Sequence, residues 1–455
     1  MTDRSARRAA RSTRRGFLAL AGAASLAGCG LPDPQKVLHG EPPKVDRAAL
    51  AEIPSTDPPS VPETVPVEIR RTYLDDGIAR ARDLLASVPA PFEEEEIPNG
   101  AIREDLARKH ERARTAVESV DEAASPLGAM ETVRDARGEA RAVAAGWKAI
   151  DADLTRADVR ESGRSLFDAA DRFRSRWSYD GADPIRAVVV HAEIETHLDA
   201  AVNRAERVVA GERSGRENPV AVGELAGDIE LARASLDDAG HLYDRLTATA
   251  DGSRSLRAGF IAAVETLGSL VGPRRGELPD GDPTEPSSFV SRDVDGTPAG
   301  EAIRRLATDL EHDDAVDRAR TADEYASAVL AAHGILVRIR ALNALLRRVE
   351  AGEHVIVESA ADARGIRADA VAALEKGLRK DDYRHLNRRV IGNAAGHITY
   401  ADRDLSRYDG DGTVSVTAVA DELGEYVMAG ALARATPPTS ARVAGVVRRS
   451  VRQSP

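Results

Sequence analysis

Residues 183–211 read DPIRAVVVHAEIETHLDAAVNRAERVVAG, and this stretch shows most directly how the chain folds. The Asp183 carboxylate can accept the free N–H groups of a first helical turn. Pro184 suits the first helical position, where its missing N–H needs no partner. We therefore predict a helix over about 184–211.

The same helical character continues on both sides of this stretch. No window of the body shows sustained alternation of β-branched and polar residues, so strands are not expected. The fold class we predict is all-α. The other predicted helices cover about 67–88, 102–120, 128–149, 157–177, 219–249 and 254–271, then 299–311, 320–350, 355–379, 382–405, 415–434 and 439–452.

Residues 272–298 are rich in Pro, Gly, Asp and Ser and form the best internal boundary. They divide the body into two packed helical bundles, 67–271 and 299–455, joined by an inter-domain loop. A single irregular helical array is the alternative. We find no fixed repeat of 30–45 residues, so no named solenoid family is indicated.

The segment 29–66 differs in composition from the body. Residues 30–66 contain nine prolines and few periodic apolar positions. Such a segment is typical of an extended linker, and 37 residues could reach about 110 Å at about 3.1 Å per residue. We expect a tether that holds the body away from a membrane surface.

The first 28 residues have the pattern of an export signal. A basic region with six arginines precedes an apolar run at Phe17–Ala27, which is too short to span a bilayer. Thr13-Arg14-Arg15-Gly16-Phe17-Leu18 resembles the twin-arginine export motif, and Leu26-Ala27-Gly28-Cys29 resembles a lipobox. The resemblance implies export through Arg14 and Arg15. It also implies that Cys29 becomes the mature N-terminus and carries a covalent lipid.

The charge balance narrows the classes of partner. The chain carries 63 basic and 75 acidic residues. A protein with net negative charge repels the phosphates of nucleic acids, so nucleic acid is not expected as a partner. Only six basic residues are Lys and 57 are Arg. This Lys-poor, Arg-rich and acidic composition resembles that of secreted haloarchaeal lipoproteins. A GC-rich actinobacterial source is the alternative.

Four ionisable residues fall on the helix predicted over 184–211. His191 and Glu195 are one turn apart, and so are Glu193 and His197. The two pairs are offset by two residues, so they point to opposite sides of the helix and cannot form one site. Local pairing on the helix surface is the expected role.

A weak metal-site candidate combines His354 with Glu358. Gly352-Glu353-His354 followed by Glu358 is similar to the Gly-x-His-x-x-Glu pattern of imelysin-like helical proteins. One extra residue intervenes, and Val357 stands where that family has its acid. The residue-by-residue correspondence therefore fails at the acid.

Asp409-Gly410-Asp411-Gly412 resembles the middle of an EF-hand loop. With Gly412 at loop position 6, Arg407 and Ala418 would occupy positions 1 and 12, where Ca²⁺ ligands are required. A turn between two helices explains the segment more simply.

Residues 431–455 contain five arginines and no acid. Val443, Val447 and Val451 form an apolar stripe beside them. One hypothesis is an amphipathic helix that touches anionic headgroups. Packing of the arginines against the acidic body is the interpretation we favour.

The sequence contains none of the common catalytic signatures. We therefore expect a lipid-anchored binding or interaction module at the cell surface, with no cofactor beyond the lipid on Cys29. Its partners would be the membrane, through that lipid, and an envelope protein or a small ligand between the bundles. The alternative is a metal-handling or metal-dependent helical-bundle enzyme that uses His/Glu pairs. A two-lobed solute receptor is disfavoured because βα alternation is not visible.

Overall fold

The computed structural model describes residues 42–54, 56–211, 218–248, 252–380 and 383–454. The all-α prediction is confirmed. The α-helices are α1 (Arg47–Ala51), α2 (Arg71–Ala86), α3 (Gly100–Ser119), α4 (Pro126–Asp151), α5 (Arg156–Arg176), α6 (Pro184–Ala210), α7 (Pro219–Ala248), α8 (Arg257–Gly276), α9 (Pro298–Glu311), α10 (Ala315–Thr321), α11 (Tyr325–Glu350), α12 (Ala360–Leu378), α13 (Arg384–Leu405) and α14 (Ala420–Gln453).

Extended structure in the described residues is confined to two short antiparallel ladders. Strand β1 (Lys44–Asp46) pairs with β4 (Thr413–Ser415), with Val45 opposite Val414. Strand β2 (Asp180–Gly181) pairs with β3 (Arg254–Ser255). Each ladder joins segments that are far apart in sequence, so each closes a long loop of the helical fold.

Helix α6 begins as the sequence indicates. The Asp183 carboxylate accepts the backbone N–H groups of Ile185 and Arg186, both at 2.8 Å. The helix ends at Gly211, whose φ of +75° lies in the left-handed region that favours glycine. Local sequence therefore determines both ends of this helix.

The first helical core is formed by α2–α7, with α4 packed along α7. The backbones of these two helices approach closely where glycines face each other. A Cβ on Gly223 would lie 2.4 Å from the Ala142 carbonyl oxygen, and one on Gly227 would lie 2.9 Å from the Gly138 carbonyl oxygen. Glycine is needed at both positions because a side chain would separate the helices.

The second core is formed by α8–α14, and its central helices are α11 and α14. Helix α8 falls within the predicted bundle 67–271, but Phe260 and Leu267 on it are fully buried in the second core. The β2–β3 ladder redirects the chain before α8, so the two cores separate near residues 252–256 and not within 272–298. The first half of α6 also packs into the second core, and residues 43–455 form one compact unit.

The predicted tether is wrong from residue 43 onward. Val45, Leu50 and Ile53 are buried in the second core. The Arg367 guanidinium donates to the Thr56 hydroxyl at 3.2 Å and also binds the Thr56 carbonyl oxygen. Apolar residues between the prolines thus anchor the segment to the body. Residues 29–41 lie outside the described residues.

Helix α14 is a single helix that contains Pro437 and Pro438, although the sequence predicted two helices, at about 415–434 and 439–452. A proline inside a helix removes a hydrogen bond and costs about 3 kcal/mol. Here α14 packs on α8, α9, α11, α12 and α13, and most of its residues are buried. Tertiary packing on several sides outweighs the cost of the prolines.

Among the described residues, α11 alone is long and apolar enough to cross a membrane by length and composition. Its apolar window is 67% buried inside the protein, as expected for the central helix of a core.

Candidate functional site

A cleft of about 430 Å³ lies between the two cores, and we call it the junction cleft. One wall comes from the end of α5 and from α6, and the other from β3, the start of α8 and the turn before α11. Its lining residues are Arg174, Trp177, Ser178, Tyr179, Glu195, Leu198, Asp199, Ser255, Arg257, Ala322, Asp323 and Glu324.

Glu195 joins α6 to the beginning of α11. Its carboxylate accepts the backbone N–H of Ala326 at 3.1 Å and that of Ser327 at 2.7 Å. These N–H groups belong to the first turn of α11, where a helix has no internal acceptors and carries partial positive charge. Burial raises the pKa of Glu195, and the hydrogen bonds from Ser327 and Tyr179 oppose that rise.

Tyr179 completes the cap of α11. Its hydroxyl donates to Glu195 Oε1 at 2.5 Å and accepts the backbone N–H of Tyr325 at 3.2 Å. Burial and the Glu195 carboxylate both raise the pKa of Tyr179, so the hydroxyl keeps its proton and remains a donor. Both groups are therefore fixed in place at the back of the cleft.

Glu324 and Asp199 bring further negative charge into the cleft. Burial raises the pKa of Glu324 to about 7, and the Asp199 and Glu195 carboxylates add to the rise, while Arg174 opposes it. At neutral pH Glu324 is therefore protonated in about half of the molecules. A cation in the cleft would favour its ionised form.

Trp177 is held in one orientation by His191. The indole N–H donates to His191 Nδ1 at 3.1 Å, and His191 Nε2 lies 3.0 Å from the Asp180 carbonyl oxygen. Burial lowers the pKa of His191 to about 4, so the ring is neutral, with its proton on Nε2. His191 therefore positions the tryptophan and has no free nitrogen for other chemistry.

The aromatic rings around the cleft are packed together. The ring centroids of Trp177 and Tyr179 are 4.9 Å apart, and those of Tyr179 and Tyr325 are 5.9 Å apart. The Arg257 guanidinium lies over the Tyr325 ring, 5.1 Å from its centroid. The Arg257 side chain is therefore a cation that the protein itself places on an aromatic ring at the edge of the cleft.

The four residues singled out on α6 do not form one site. His191 and Glu195 have other partners and do not pair with each other, whereas Glu193 and His197 do pair, inside the protein and not on its surface. His191, Glu195 and His197 are buried because α6 lies between the cores. His197 Nδ1 lies 3.4 Å from Arg134 Nη1, and Glu193 Oε1 lies 3.5 Å from His197 Nε2. Burial lowers the pKa of His197 to about 3.

His197, of the pair Glu193 and His197, contacts a buried group of charged residues in the first core. Arg134 donates to Asp238 at 2.9 Å, and the Tyr73 hydroxyl donates to the same carboxylate at 2.6 Å. Burial raises the pKa of Asp238 to about 6. Arg134, Tyr73 and Asp238 are thus partners of one another inside the first core, whereas His197 Nε2 is buried without a hydrogen-bond partner.

His354 and Glu358 are not one turn of a helix apart. Helix α11 ends before them and α12 begins after them, with Gly352 at a φ of +73°. His354 lines a small cavity of about 150 Å³, whereas the backbone N–H of Glu358 binds Asp362 at the start of α12. Among the described residues, no three His, Cys, Asp or Glu side chains are grouped so that they could hold a metal ion.

The EF-hand-like segment is a turn, as the sequence indicates. Residues 409–412 connect α13 to β4, and Gly410 and Gly412 have φ values of +122° and +99°. The export and lipidation residues Arg14, Arg15 and Cys29 lie outside the described residues.

The C-terminal arginines are only partly paired with the acidic body. Arg434 forms an ion pair with Asp369 at 2.5 Å, and Arg448 donates to the Tyr383 hydroxyl at 3.0 Å. Val443, Val447 and Val451 are buried, so no apolar stripe of this helix faces outward. The apolar stripe on which the membrane hypothesis depends is therefore packed inside the protein.

Two protein-family models match the chain, one on each side of the junction cleft. Residues 72–252 match a family described as "Domain of unknown function (DUF8262)", and residues 257–445 match one described as "Domain of unknown function (DUF8264)". The cleft lies where the two matched regions meet. No curated protein and no solved structure matches the chain.

Sequence reasoning missed most of the cleft. Trp177 was visible as one of only two tryptophans, and Glu195 was singled out by its spacing from His191. Tyr179 and Glu324 gave no local signal, because their roles depend on the contact between α6 and α11.

Proposed function

We propose that the chain is an extracytoplasmic, lipid-anchored binding module that takes a small organic cation in the junction cleft. One observation carries the proposal. The carboxyl groups of Glu195, Asp199 and Glu324 line the same cavity as the aromatic rings of Trp177 and Tyr179. Carboxylates and aromatic faces are the groups that attract organic ammonium ions.

The size and charge of the cleft agree with this ligand class. Its volume of about 430 Å³ lies within the range of small-molecule sites. Asp323 also lines the cleft, so four acids face two arginines, Arg174 and Arg257. Burial, and to a lesser degree the Asp199 and Glu195 carboxylates, keep Glu324 partly protonated, and an ammonium group in the cleft would favour its ionised form.

The proposed location rests on the N-terminal sequence. Arg14 and Arg15 would direct export, and a lipid on Cys29 would retain the protein at the membrane. An envelope protein that presents a cationic side chain to the cleft would use the same chemistry as a small ligand.

Fluorescence of Trp177 provides the test of the ligand class. A Trp147→Phe background leaves Trp177 as the sole tryptophan. Titration with choline and with spermidine should change its emission in a saturable way. Glu324→Gln should weaken binding about tenfold, since about 1.4 kcal/mol corresponds to each factor of ten. Glu265→Gln, on the exposed face of α8, is the charge-matched control.

Calorimetry at pH 7 in two buffers of different ionisation enthalpy should detect proton release on binding, and Glu324→Gln should abolish it. Equal affinity of the Glu324 and Glu265 variants, or no binding of either probe, would refute the cation site.

The location is tested separately in cells. Cys29→Ser should move the protein from the membrane fraction to the soluble or secreted fraction, and replacement of Arg14 and Arg15 by Lys should leave it inside the cell. Mass spectrometry of the mature N-terminus should find lipid on Cys29. Unchanged fractionation of both variants would refute the location and leave the cation site unaffected.

A further inference from the structure

Positive charge is concentrated on three helices of the second core. Helices α8, α11 and α14 pack against one another. Together they contain twelve arginines and five acidic residues, in a chain whose net charge is −12. The acidic residues of the protein therefore lie mainly on other elements.

Four of these arginines form what we call the arginine cluster: Arg442 on α14, whose charge interacts with the charges of Arg274 on α8, Arg340 on α11 and Arg449 on α14. Arg340, Arg442 and Arg449 are exposed, and Arg274 is half-buried. Burial and the charges of Arg274, Arg340 and Arg449 lower the pKa of Arg442. The cluster holds like charges together at the protein surface.

The four cluster arginines lack the acidic partners that neighbouring arginines on the same helices have. Arg338 on α11 forms an ion pair with Asp313 at 3.0 Å, and Arg434 on α14 pairs with Asp369. None of the four cluster guanidiniums has an ion pair or hydrogen bond within the part of the chain that the structure describes. Their charge is therefore balanced by solvent or by an external anion, and not by an acidic side chain of the protein.

Two of the four guanidiniums belong to the same side of α14. Arg442 and Arg449 are two turns apart on α14, with Gly445 between them. Arg449 Nη1 reaches back over this glycine, 3.3 Å from the position that a Cβ would occupy. A Cβ at residue 445 would crowd this guanidinium, so the glycine lets the Arg449 side chain lie along the helix surface toward Arg442.

We propose that the arginine cluster is a binding site for a phosphate-bearing anion. The planar fork of a guanidinium matches two phosphate oxygens, and several such forks around one group bind phosphate more specifically than ammonium groups do. A phospholipid headgroup and a soluble phosphate compound share this chemistry. The buried valines of α14 restrict any membrane contact to the headgroups. This inference does not depend on the junction cleft.

The test uses the full chain carrying Cys29→Ser, so that a lipid cannot hold it to vesicles. Soluble tripolyphosphate is titrated by calorimetry at low ionic strength. Co-sedimentation is measured with phosphatidylglycerol vesicles and with phosphatidylcholine vesicles. The cluster variant replaces Arg340, Arg442 and Arg449 by Gln.

A matched control removes the same charge elsewhere. It replaces Arg82, Arg172 and Arg207, which are exposed on α2, α5 and α6, by Gln. A third variant replaces the cluster arginines by Lys and so keeps their charge while removing the guanidinium fork. Circular dichroism confirms that each variant is folded.

We expect the cluster variant to lose at least about tenfold in phosphate affinity, the Lys variant several-fold, and the control less than about twofold. Binding to phosphatidylglycerol vesicles that tripolyphosphate displaces would assign the site to headgroups. Tripolyphosphate binding without recruitment to vesicles would assign it to a soluble phosphate.

Three outcomes would overturn the proposal. In the first, the cluster variant binds both probes as the wild type does. In the second, the Lys variant binds as tightly as the wild type, so that only diffuse charge is involved. In the third, neither probe binds while the cluster variant loses self-association, so that the arginines contact an acidic protein surface.

Discussion

Glu195 in α6 accepts the backbone N–H of Ser327 at 2.7 Å and so connects the middle of one helix to the first turn of another. Residue 195 lies in the region matched by the first family model and residue 327 in that matched by the second. The buried carboxylate thus supplies the N-terminal cap that α11 lacks in its own sequence, since Glu324 makes no side-chain cap. This contact ties the two cores together at the junction cleft.

Glu195→Gln should destabilise the protein by about 1–3 kcal/mol, because an amide provides a weaker acceptor to two buried N–H groups and places a donor beside one of them. Urea denaturation measures the loss. Glu206→Gln, on the exposed side of the same helix, should change the free energy of unfolding by less than about 0.5 kcal/mol. Equal effects of the two substitutions would show that the cap contributes nothing.

Glu324 should make stability depend on pH with a defined sign. Its pKa in the folded protein is about 7, above its ordinary value of 4.5. The folded state therefore binds more protons than the unfolded state between these values, and the contribution present below pH 4.5 is lost as pH rises through 7.

The free energy of unfolding of the wild type relative to Glu324→Gln should fall by on the order of 1 kcal/mol from pH 4.5 to pH 8, after allowance for solvent screening. Urea denaturation at several pH values tests this. A difference that is constant with pH would contradict the raised pKa.

Gly223→Ala should be strongly destabilising because the new Cβ would lie 2.4 Å from the Ala142 carbonyl oxygen, and backbone cannot move aside as a flexible side chain can. We expect a loss of about 2 kcal/mol or more. Gly268→Ala is the control, since nothing lies within 4 Å of its Cβ position in α8. That substitution should stabilise the protein by about 0.5–1 kcal/mol, and thermal unfolding of the two variants should shift in opposite directions.

Leu50→Ala should destabilise the protein by about 2–5 kcal/mol, because Leu50 is part of the second core. Leu50 is 0% exposed, whereas a residue in a free tether would contribute nothing to the unfolding free energy. Denaturant unfolding gives the cost, and limited proteolysis should become faster within residues 43–66. Leu31→Ala, in the part of the predicted tether outside the described residues, is the comparison.

Capping residues and helical periodicity predicted most of the helices. They failed where tertiary packing decides whether a helix continues or which core it joins. Asp183-Pro184 correctly placed the start of α6, because capping depends on neighbouring residues alone. The predicted break between 434 and 439 is wrong, because burial of α14 on several sides outweighs the hydrogen bonds lost at Pro437 and Pro438. The boundary at 272–298 misplaced α8, since no local pattern indicates which core a helix will join.

The candidate site was less predictable than the helices. Spacing along α6 correctly separated His191 and Glu195 from Glu193 and His197 on different sides. It could not indicate that α6 lies between two cores, which makes these residues buried positioning and capping groups. Four arginines from three helices likewise form a cluster that no sequence window contains.

The sequence by itself determined the all-α fold, the cap of α6, the turn at 409–412 and the acidic balance of the chain, because each depends on composition or on residues within a few positions of one another. It also predicts the export signal and the lipid on Cys29, which are tested in cells. Only the tertiary structure decided which helices share a core, that residues 43–54 are buried, and where the junction cleft and the arginine cluster lie. Those features arise from contacts between segments separated by tens to hundreds of residues, and helical periodicity carries no information about which faces will meet.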